Sequence, residues 1–426
     1  VLLQSHKNLK YNSGISYVST KVINDRLNLI IYWKPILDPR LSNQFAITGI
    51  GEAPAGHHPD ITVASLVTLA CRDAMYNAGL TANDIDGVII ESPLSEPTFM
   101  FAVDIAHKLG ISPRYTSSTG LGGAAAVSAL AQAMAVIEAG LCSTVLFAMG
   151  DSIWSHAKGH QQALGTLNWG YAEFEETFGL VQPPGAYALG AQRHMYEYGT
   201  TAEAFGSIAV SARYHASLNA NAEKRKAITL TDYFDSPWIV EPFRLLDCSL
   251  VSDFAGAYII SKRSSVDNSS KPLVLVNAVA QAQTHRYVID SALTKTGAVD
   301  VANTLWDISG LGPNDVKVAE LYDSFTYTLL VQLEDYGFCE KGKGGQYVIE
   351  KGLSLGDALP VNTHGGLLSQ AHSGGILHLT EAVKQLRGEC GSRQVPNADI
   401  ALVSGGGGIL FAAHAGALLQ RVESDS

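Results

Sequence analysis

A fourteen-residue stretch written twice constrains this chain more than any other feature. Ala78-Gly-Leu-Thr-Ala-Asn-Asp-Ile-Asp-Gly-Val-Ile-Ile-Glu returns as Ser309-Gly-Leu-Gly-Pro-Asn-Asp-Val-Lys-Val-Ala-Glu-Leu-Tyr. Each copy reads as a helix stopped by glycine, a polar turn and then an apolar strand. A second pair agrees with the first. Gly123 to Gly140 matches Ala371 to Gly388, each a helix closed by glycine and followed by an apolar strand (Thr144-Val-Leu-Phe-Ala and Ile400-Ala-Leu-Val-Ser). Copies this far apart mean a duplicated α/β half and not a short-period solenoid.

The rest of the chain fits two such halves. Phe45-Ala-Ile-Thr-Gly-Ile-Gly-Glu reads as the first strand. Helices are predicted over 62–79, 99–109 and 123–139, with strands at 87–91 and 144–149. Alternation of this kind requires α/β layers. We divide the chain into a first half over 45–265 and a second over 270–420. An insert over 150–245 breaks the alternation; it holds an aromatic-rich region from Trp154 to Phe178 and a helix-like run from Ala202 to Ala222. Residues 1–44 differ in composition, and Asn28 to Trp33 reads as a short strand. With 46% hydrophobic and 16% charged residues over 426 positions, the chain can bury a large core.

Charge and cysteine usage exclude several classes. A net charge of −11 argues against a broad nucleic-acid surface. Cys71, Cys142, Cys248, Cys339 and Cys390 form no CxxC pair, so neither a zinc site nor a disulfide framework is expected. No apolar run spans a membrane and no signal peptide is evident, so the expected location is the cytoplasm. No GxGxxG opens a helix after the first strand and no GxxxxGK[ST] is present, which removes nicotinamide and nucleotide-triphosphate chemistry.

Chemistry concentrates in four segments: Ser117-Ser-Thr-Gly-Leu-Gly-Gly, Tyr322-Asp-Ser-Phe-Thr, Asn362-Thr-His-Gly-Gly with Ala371-His-Ser-Gly-Gly, and Ser404-Gly-Gly-Gly-Gly. They resemble the active-site motifs of the thiolase superfamily, in particular its sterol-carrier-protein type and thiolase-like relatives. That resemblance implies the duplicated αβαβα thiolase fold with an inserted loop region over the active site. It also implies a nucleophilic cysteine at the start of the first repeated helix, where this chain has Gly123 behind Gly122. The second cysteine of thiolase chemistry is absent as well: Ser324 stands in one of its two places and the Gly405–Gly408 run in the other.

The resemblance assigns the remaining groups. His372 matches the histidine of the Gly-His-Pro motif. The repeat puts it beside a second helix start, where the positive helix end would keep its imidazole neutral. Tyr322 takes the first position of the Asn-Glu-Ala-Phe or His-Asp-Cys-Phe motif, with Asp323 supporting it. The backbone N–H groups of Gly122, Gly123, Gly405 and Gly406, together with Asn362 and His364, would hold a thioester oxyanion. No metal or bound cofactor is expected; coenzyme A enters as part of the substrate.

An enolate stabiliser with a base but no nucleophile suits retro-aldol cleavage of a β-hydroxyacyl-CoA. Steroid side-chain aldolases, which resemble sterol-carrier thiolases, lack the cysteine and keep a tyrosine in the Tyr-Asp-x-Phe-Thr motif. They imply a homodimer working with a small OB-fold/zinc-ribbon partner, and they carry a second tyrosine where His372 stands. Three other readings stay open: an acyltransferase or thiolase with a displaced nucleophile (Ser117, Ser118 or Cys248), a non-catalytic subunit that binds acyl-CoA or lipid, and a structural half of a hetero-oligomer with its N-terminal arm as the contact.

Overall fold

The computed structural model describes residues 39–156, 175–180, 183–266 and 271–423. The strand expected at Asn28–Trp33 and most of the aromatic-rich region, including Trp169, Tyr171 and Phe174, lie outside them. Residues just before Phe45 already bond to the sheet: Asn43 N–H donates to Val276 O (3.0 Å) and Gln44 O accepts from Arg263 N–H (2.8 Å).

Nine strands form one sheet: β1 (Phe45–Glu52), β2 (Gly87–Glu91), β3 (Tyr115–Thr119), β4 (Thr144–Ser152), β5 (Asp253–Lys262), β6 (Leu273–Gln283), β7 (Val318–Glu320), β8 (Ile400–Gly407) and β9 (Ala413–Val422). Their order is β3-β2-β4-β5-β1-β6-β9-β8-β7. The first half reads 3-2-4-5-1 from its edge. The second repeats that order, with β7, β8, β9 and β6 in the roles of β2, β4, β5 and β1. A single parallel bridge from Ala319 to Val361 stands in the place of β3. Parallel and antiparallel pairings also correspond position by position. The halves join antiparallel through Ala46–Leu275 and Ile47–Val274, so they form one unit.

The repeated stretch is built alike in both copies. Gly79 and Gly310 close their helices in the left-handed region, at φ 67° and 68°. A 3-10 turn follows, with Asp84 accepting from Thr81 N–H and Asp315 from Gly312 N–H, both at 2.8 Å.

Helices α1 (Val63–Ala78) and α2 (Phe101–Leu109) cover the outer face of the first half-sheet, while α3 (Ala125–Glu138) runs beneath it. In the insert, α4 (Pro184–Tyr198) and α5 (Ala202–Ser217) pack beside the second half. That half carries α6 (Ala298–Ser309) and α7 (Thr326–Asp335) outside and α8 (Ile376–Arg387) inside. Helices α3 and α8 share one hydrophobic cluster with strands of both halves, while separate clusters hold the outer layers. The layering expected from the duplication is therefore present. Helix α3 is buried along most of its length, as its Ala-rich sequence allows for a helix packed against strands of both halves. One expectation needs correction. The second inner helix begins at Ile376, not Ala371, because Gly374 and Gly375 adopt positive φ and turn the chain first.

Candidate functional site

The strand ends of both halves converge on Gly122–Gly123, the 3-10 turn that opens α3. Tyr322 arrives there two residues past β7, held through its backbone. Its N–H donates to Ser404 Oγ (2.9 Å) and its carbonyl accepts from Gln332 Nε2 (2.7 Å), while Ser404 Oγ donates to Gln332 Oε1 (2.6 Å). The preceding Leu321 is bracketed by Asn362, whose Oδ1 takes its N–H (2.7 Å) and whose Nδ2 donates to its carbonyl (2.8 Å). Both ends of the Asn362 amide thus serve the backbone that aims Tyr322.

The phenol ring is wedged between Phe411, edge-on at 5.7 Å, and the stacked imidazole of His378 at 6.2 Å. Its tip fills the space where a side chain at position 123 would project. A Cβ on Gly123 would stand 2.5 Å from Tyr322 Cζ, and closer still to the phenol oxygen and the Gly406 carbonyl. Contacts below 3.0 Å essentially never occur for real Cβ atoms. The Gly406 carbonyl and the Tyr322 phenol together therefore exclude any side chain at 123. Burial, then Tyr187 and the Asp323 carboxylate, push the phenol well above its ordinary value, so it is a neutral donor at physiological pH.

The other groups picked from sequence fall into two sets. Gly405, Gly406 and Gly407 pack directly on the turn, against Gly123, Ala124 and Leu121, and the Gly374–Gly375 turn touches Met149, Tyr322 and Gly123. His372 lies two residues before that turn, ahead of α8 and not at its first residue. It is half-buried, with its N–H on Ser252 Oγ (3.0 Å) and Nδ1 bonded to Ser249 Oγ (3.0 Å). Ser249 N–H in turn donates to Ser324 O (2.9 Å), which ties His372 to the Tyr322 loop.

The second set is buried behind Tyr322. Asp323 Oδ1 accepts from Leu367 N–H (2.8 Å) and meets His378 Nε2 (3.1 Å). His364 is 1% exposed, with Nδ1 on Glu320 Oε2 (2.9 Å) and its ring edge-to-face with His378 at 4.6 Å. Burial opposes charge on His364, but Glu320 overrides it and raises its pKa.

Gly122 N–H is already engaged: it donates to Glu91 Oε1 (2.9 Å), and the other Glu91 oxygen takes the Thr119 hydroxyl. The N–H left at the turn for a ligand is that of Gly123. Sequence reasoning passed over Glu91, yet the repeat carried the signal. Glu91 is the last residue of the first copy and Tyr322 the last of the second, so both stand at equivalent strand ends facing one turn. Ser249 and His378 had no sequence signal, since their roles rest on contacts across elements.

Displaced nucleophiles find no support. All five cysteines are free. Burial pushes Cys142 up to about 11 and Cys248 and Cys339 up to about 12; Cys71 and Cys390 are held well above the ordinary thiol range as well. None is a thiolate at neutral pH. Ser117 and Ser118 lie on the edge strand β3, and Ser117 Oγ accepts from Gln132 (2.9 Å). Among the described residues no His, Cys, Asp and Glu cluster could hold a metal, and no helix is long and apolar enough to cross a membrane.

Comparison with known proteins extends the picture. Residues 280–421 match the family described as thiolase C-terminal domain-like. The chain is 32% identical over 384 residues to the 17-hydroxy-3-oxo-4-pregnene-20-carboxyl-CoA lyase of Mycobacterium tuberculosis, covering 87% of this chain and 98% of that one. It is 33% identical over 357 residues to the steroid side-chain-cleaving aldolase of Thermomonospora curvata, covering 80% and 90%. Among solved structures, the Ltp2-ChsH2(DUF35) aldolase superposes with a TM-score of 0.80 at 31% identity, over 89% of this chain and 98% of that one.

Proposed function

This chain belongs to the thiolase-like family that includes the steroid side-chain aldolases, and from that premise we propose that it cleaves a β-hydroxyacyl-CoA by a retro-aldol step. One observation carries the reading. The phenol of Tyr322 fills the space that a side chain at position 123 would need, so a proton donor stands where the resemblance places an acyl-accepting thiolate.

The step follows from the groups around the turn. His372, oriented by Ser249 at Nδ1, takes the proton of the β-hydroxyl through its other ring nitrogen. The oxygen lone pair becomes the carbonyl of the departing ketone or aldehyde as the Cα–Cβ bond breaks. The bonding pair passes to the thioester as an enolate, whose oxygen lies toward Gly123 N–H at the start of α3. Tyr322 then gives its phenolic proton to Cα, and the proton on His372 restores the phenol by way of solvent. The shortened acyl-CoA leaves, with no covalent intermediate and no free coenzyme A consumed.

One relative is named as a lyase of a 17-hydroxy-3-oxo-4-pregnene-20-carboxyl-CoA, and hydroxy carboxyl-CoA esters of that class are the first substrates to try here. We place a second copy of this chain at β3, which among the described residues bonds only β2. Leu121, just past that strand, is exposed, an apolar residue that a partner strand would cover. A small partner akin to the DUF35 component of the solved aldolase would complete the assembly.

The test is mass spectrometry of CoA products from β-hydroxyacyl-CoAs, including a tertiary alcohol on a ring, with and without an OB-fold/zinc-ribbon partner. Release of a shorter acyl-CoA without added coenzyme A, lost about 10²–10⁴-fold in Tyr322→Phe, is the expected result. Cleavage only of β-ketoacyl-CoA, and only with free coenzyme A, would overturn it.

A further inference from the structure

Behind Tyr322 two histidine–carboxylate pairs stand in line. His364 is bonded to Glu320 (2.9 Å) and His378 to Asp323 (3.1 Å), and the two rings meet edge-to-face at 4.6 Å. His378 then stacks on the phenol at an interplanar angle of 24°. All four groups are fully or almost fully buried. In each histidine the second ring nitrogen, His364 Nε2 and His378 Nδ1, has no hydrogen-bond partner among the described residues. Leaving buried polar atoms unpaired is unfavourable, and retaining two of them beside a reacting phenol calls for a reason.

We propose that His378 is a positioning residue of the reaction, acting through Tyr322: it fixes the plane of the phenol and balances the Asp323 charge next to it. This rests on the reading of Tyr322 as the proton donor. The geometry gives His378 both tasks. Its ring is the stacked face of the wedge, opposite the edge-on Phe411. With Nε2–H directed to Asp323 Oδ1, it shares that carboxylate with the Leu367 N–H.

Asp323 matters because a negative charge beside the phenol resists formation of tyrosinate when the enolate takes the proton. Burial is the larger contribution and Asp323 adds to it. The Nε2–H that His378 directs at Asp323 Oδ1 draws that charge toward the imidazole and away from the phenol. The charged groups facing His378 are few. Asp323 comes from the loop after β7 and His364 from the loop after Val361, with Glu320 behind His364. Glu381, one turn along α8, is paired with Arg393 (2.8 Å).

The test measures kcat and KM for the wild-type protein, His378→Phe and His378→Gln, with Tyr322→Phe as reference and melting curves for all. Phenylalanine keeps the stacked ring but cannot donate a hydrogen bond; glutamine can still donate to Asp323. His378→Phe should lower kcat about 10-fold or more with KM changed less than about 2-fold, as for other residues that orient a reacting group from outside. His378→Gln should recover part of that kcat. If His378→Phe folds and keeps the wild-type kcat, or shifts KM and kcat together, the residue only packs and the proposal falls. Should His378→Phe not fold, His378→Gln decides: an unchanged kcat in that variant, or kcat and KM shifted together, overturns it. Full activity in Tyr322→Phe would instead remove the donor reading, and this proposal with it.

Discussion

Replacing Gly123 by alanine tests the central geometric claim with one methyl group. The new Cβ would lie 2.5 Å from Tyr322 Cζ and nearer to the phenol oxygen and the Gly406 carbonyl. Gly123 has no positive φ, so the penalty is steric and not conformational. Gly406 is held in the β8–β9 ladder, and the phenol is wedged between Phe411 and His378, so neither neighbour can withdraw freely. Overpacking of this kind costs about 1–3 kcal/mol. Unfolding entropy of about 2.1 cal/mol/K per residue over a body of this size converts that to a fall of only about 1–4 °C in melting temperature. The effect on turnover should be larger, because relief requires displacing the phenol; a misplacement near 1 Å costs on the order of 100-fold in kcat. The assay is a double-mutant cycle: Gly123→Ala in the wild-type background and in Tyr322→Asn, read by melting temperature and by CoA-product release. The methyl should be better tolerated once the ring is gone, with a coupling of about 0.5–3 kcal/mol. Equal losses in both backgrounds, or an unchanged kcat in Gly123→Ala alone, would refute the claim that the two residues exclude any side chain at 123.

Glu91→Gln keeps the shape but weakens the acceptor that holds Gly122 N–H and the Thr119 hydroxyl; a stability loss of about 1–3 kcal/mol and a lower kcat are expected from calorimetry and product assay. Thiol alkylation by iodoacetamide at pH 7.5 should leave turnover unchanged, because Cys142, Cys248 and Cys339 are held at about 11 to about 12; rapid inactivation protected by substrate would restore the displaced-nucleophile reading. Burial holds His215 at about 4 and His414 at about 3, below the ordinary 6.5. Their folded values are depressed, so their contribution is complete above about pH 6.5 and is lost as pH falls through the folded values. Near pH 5 unfolding should take up two protons through these groups, a slope of about 2.7 kcal/mol per pH unit. Denaturant curves for a His414→Phe protein should show about half that slope; an unchanged slope would count against it.

Local signals proved readable because they are short-range. Strand β2 falls at Gly87–Glu91 as expected, and α1 begins within a residue of its predicted start. Glycine stops and the Asp-capped turns are set by backbone sterics and by neighbours three or four residues away. The misplaced start of α8 has the same local origin. Gly374 and Gly375 take positive φ there, which the helix-like spacing of Ala371 to Gly388 concealed. The roles of Asn362 and Gly122 were harder to see, since nothing in the sequence reveals that their hydrogen bonds already close on Leu321 and Glu91.

What the sequence determined by itself is the duplication, and with it the layered α/β class, together with the absence of a cysteine at Gly123. Copies of one stretch fold alike because the same local forces act on each. Only the tertiary structure decided what replaces the missing thiol. Tyr322 reaches Gly123 because the two half-sheets share a middle layer that directs both strand ends onto one turn. Whether a phenol fits there is a question of a few tenths of an ångström between residues far apart in the chain. Packing at that scale is fixed by the whole core and is not encoded in any one segment of it.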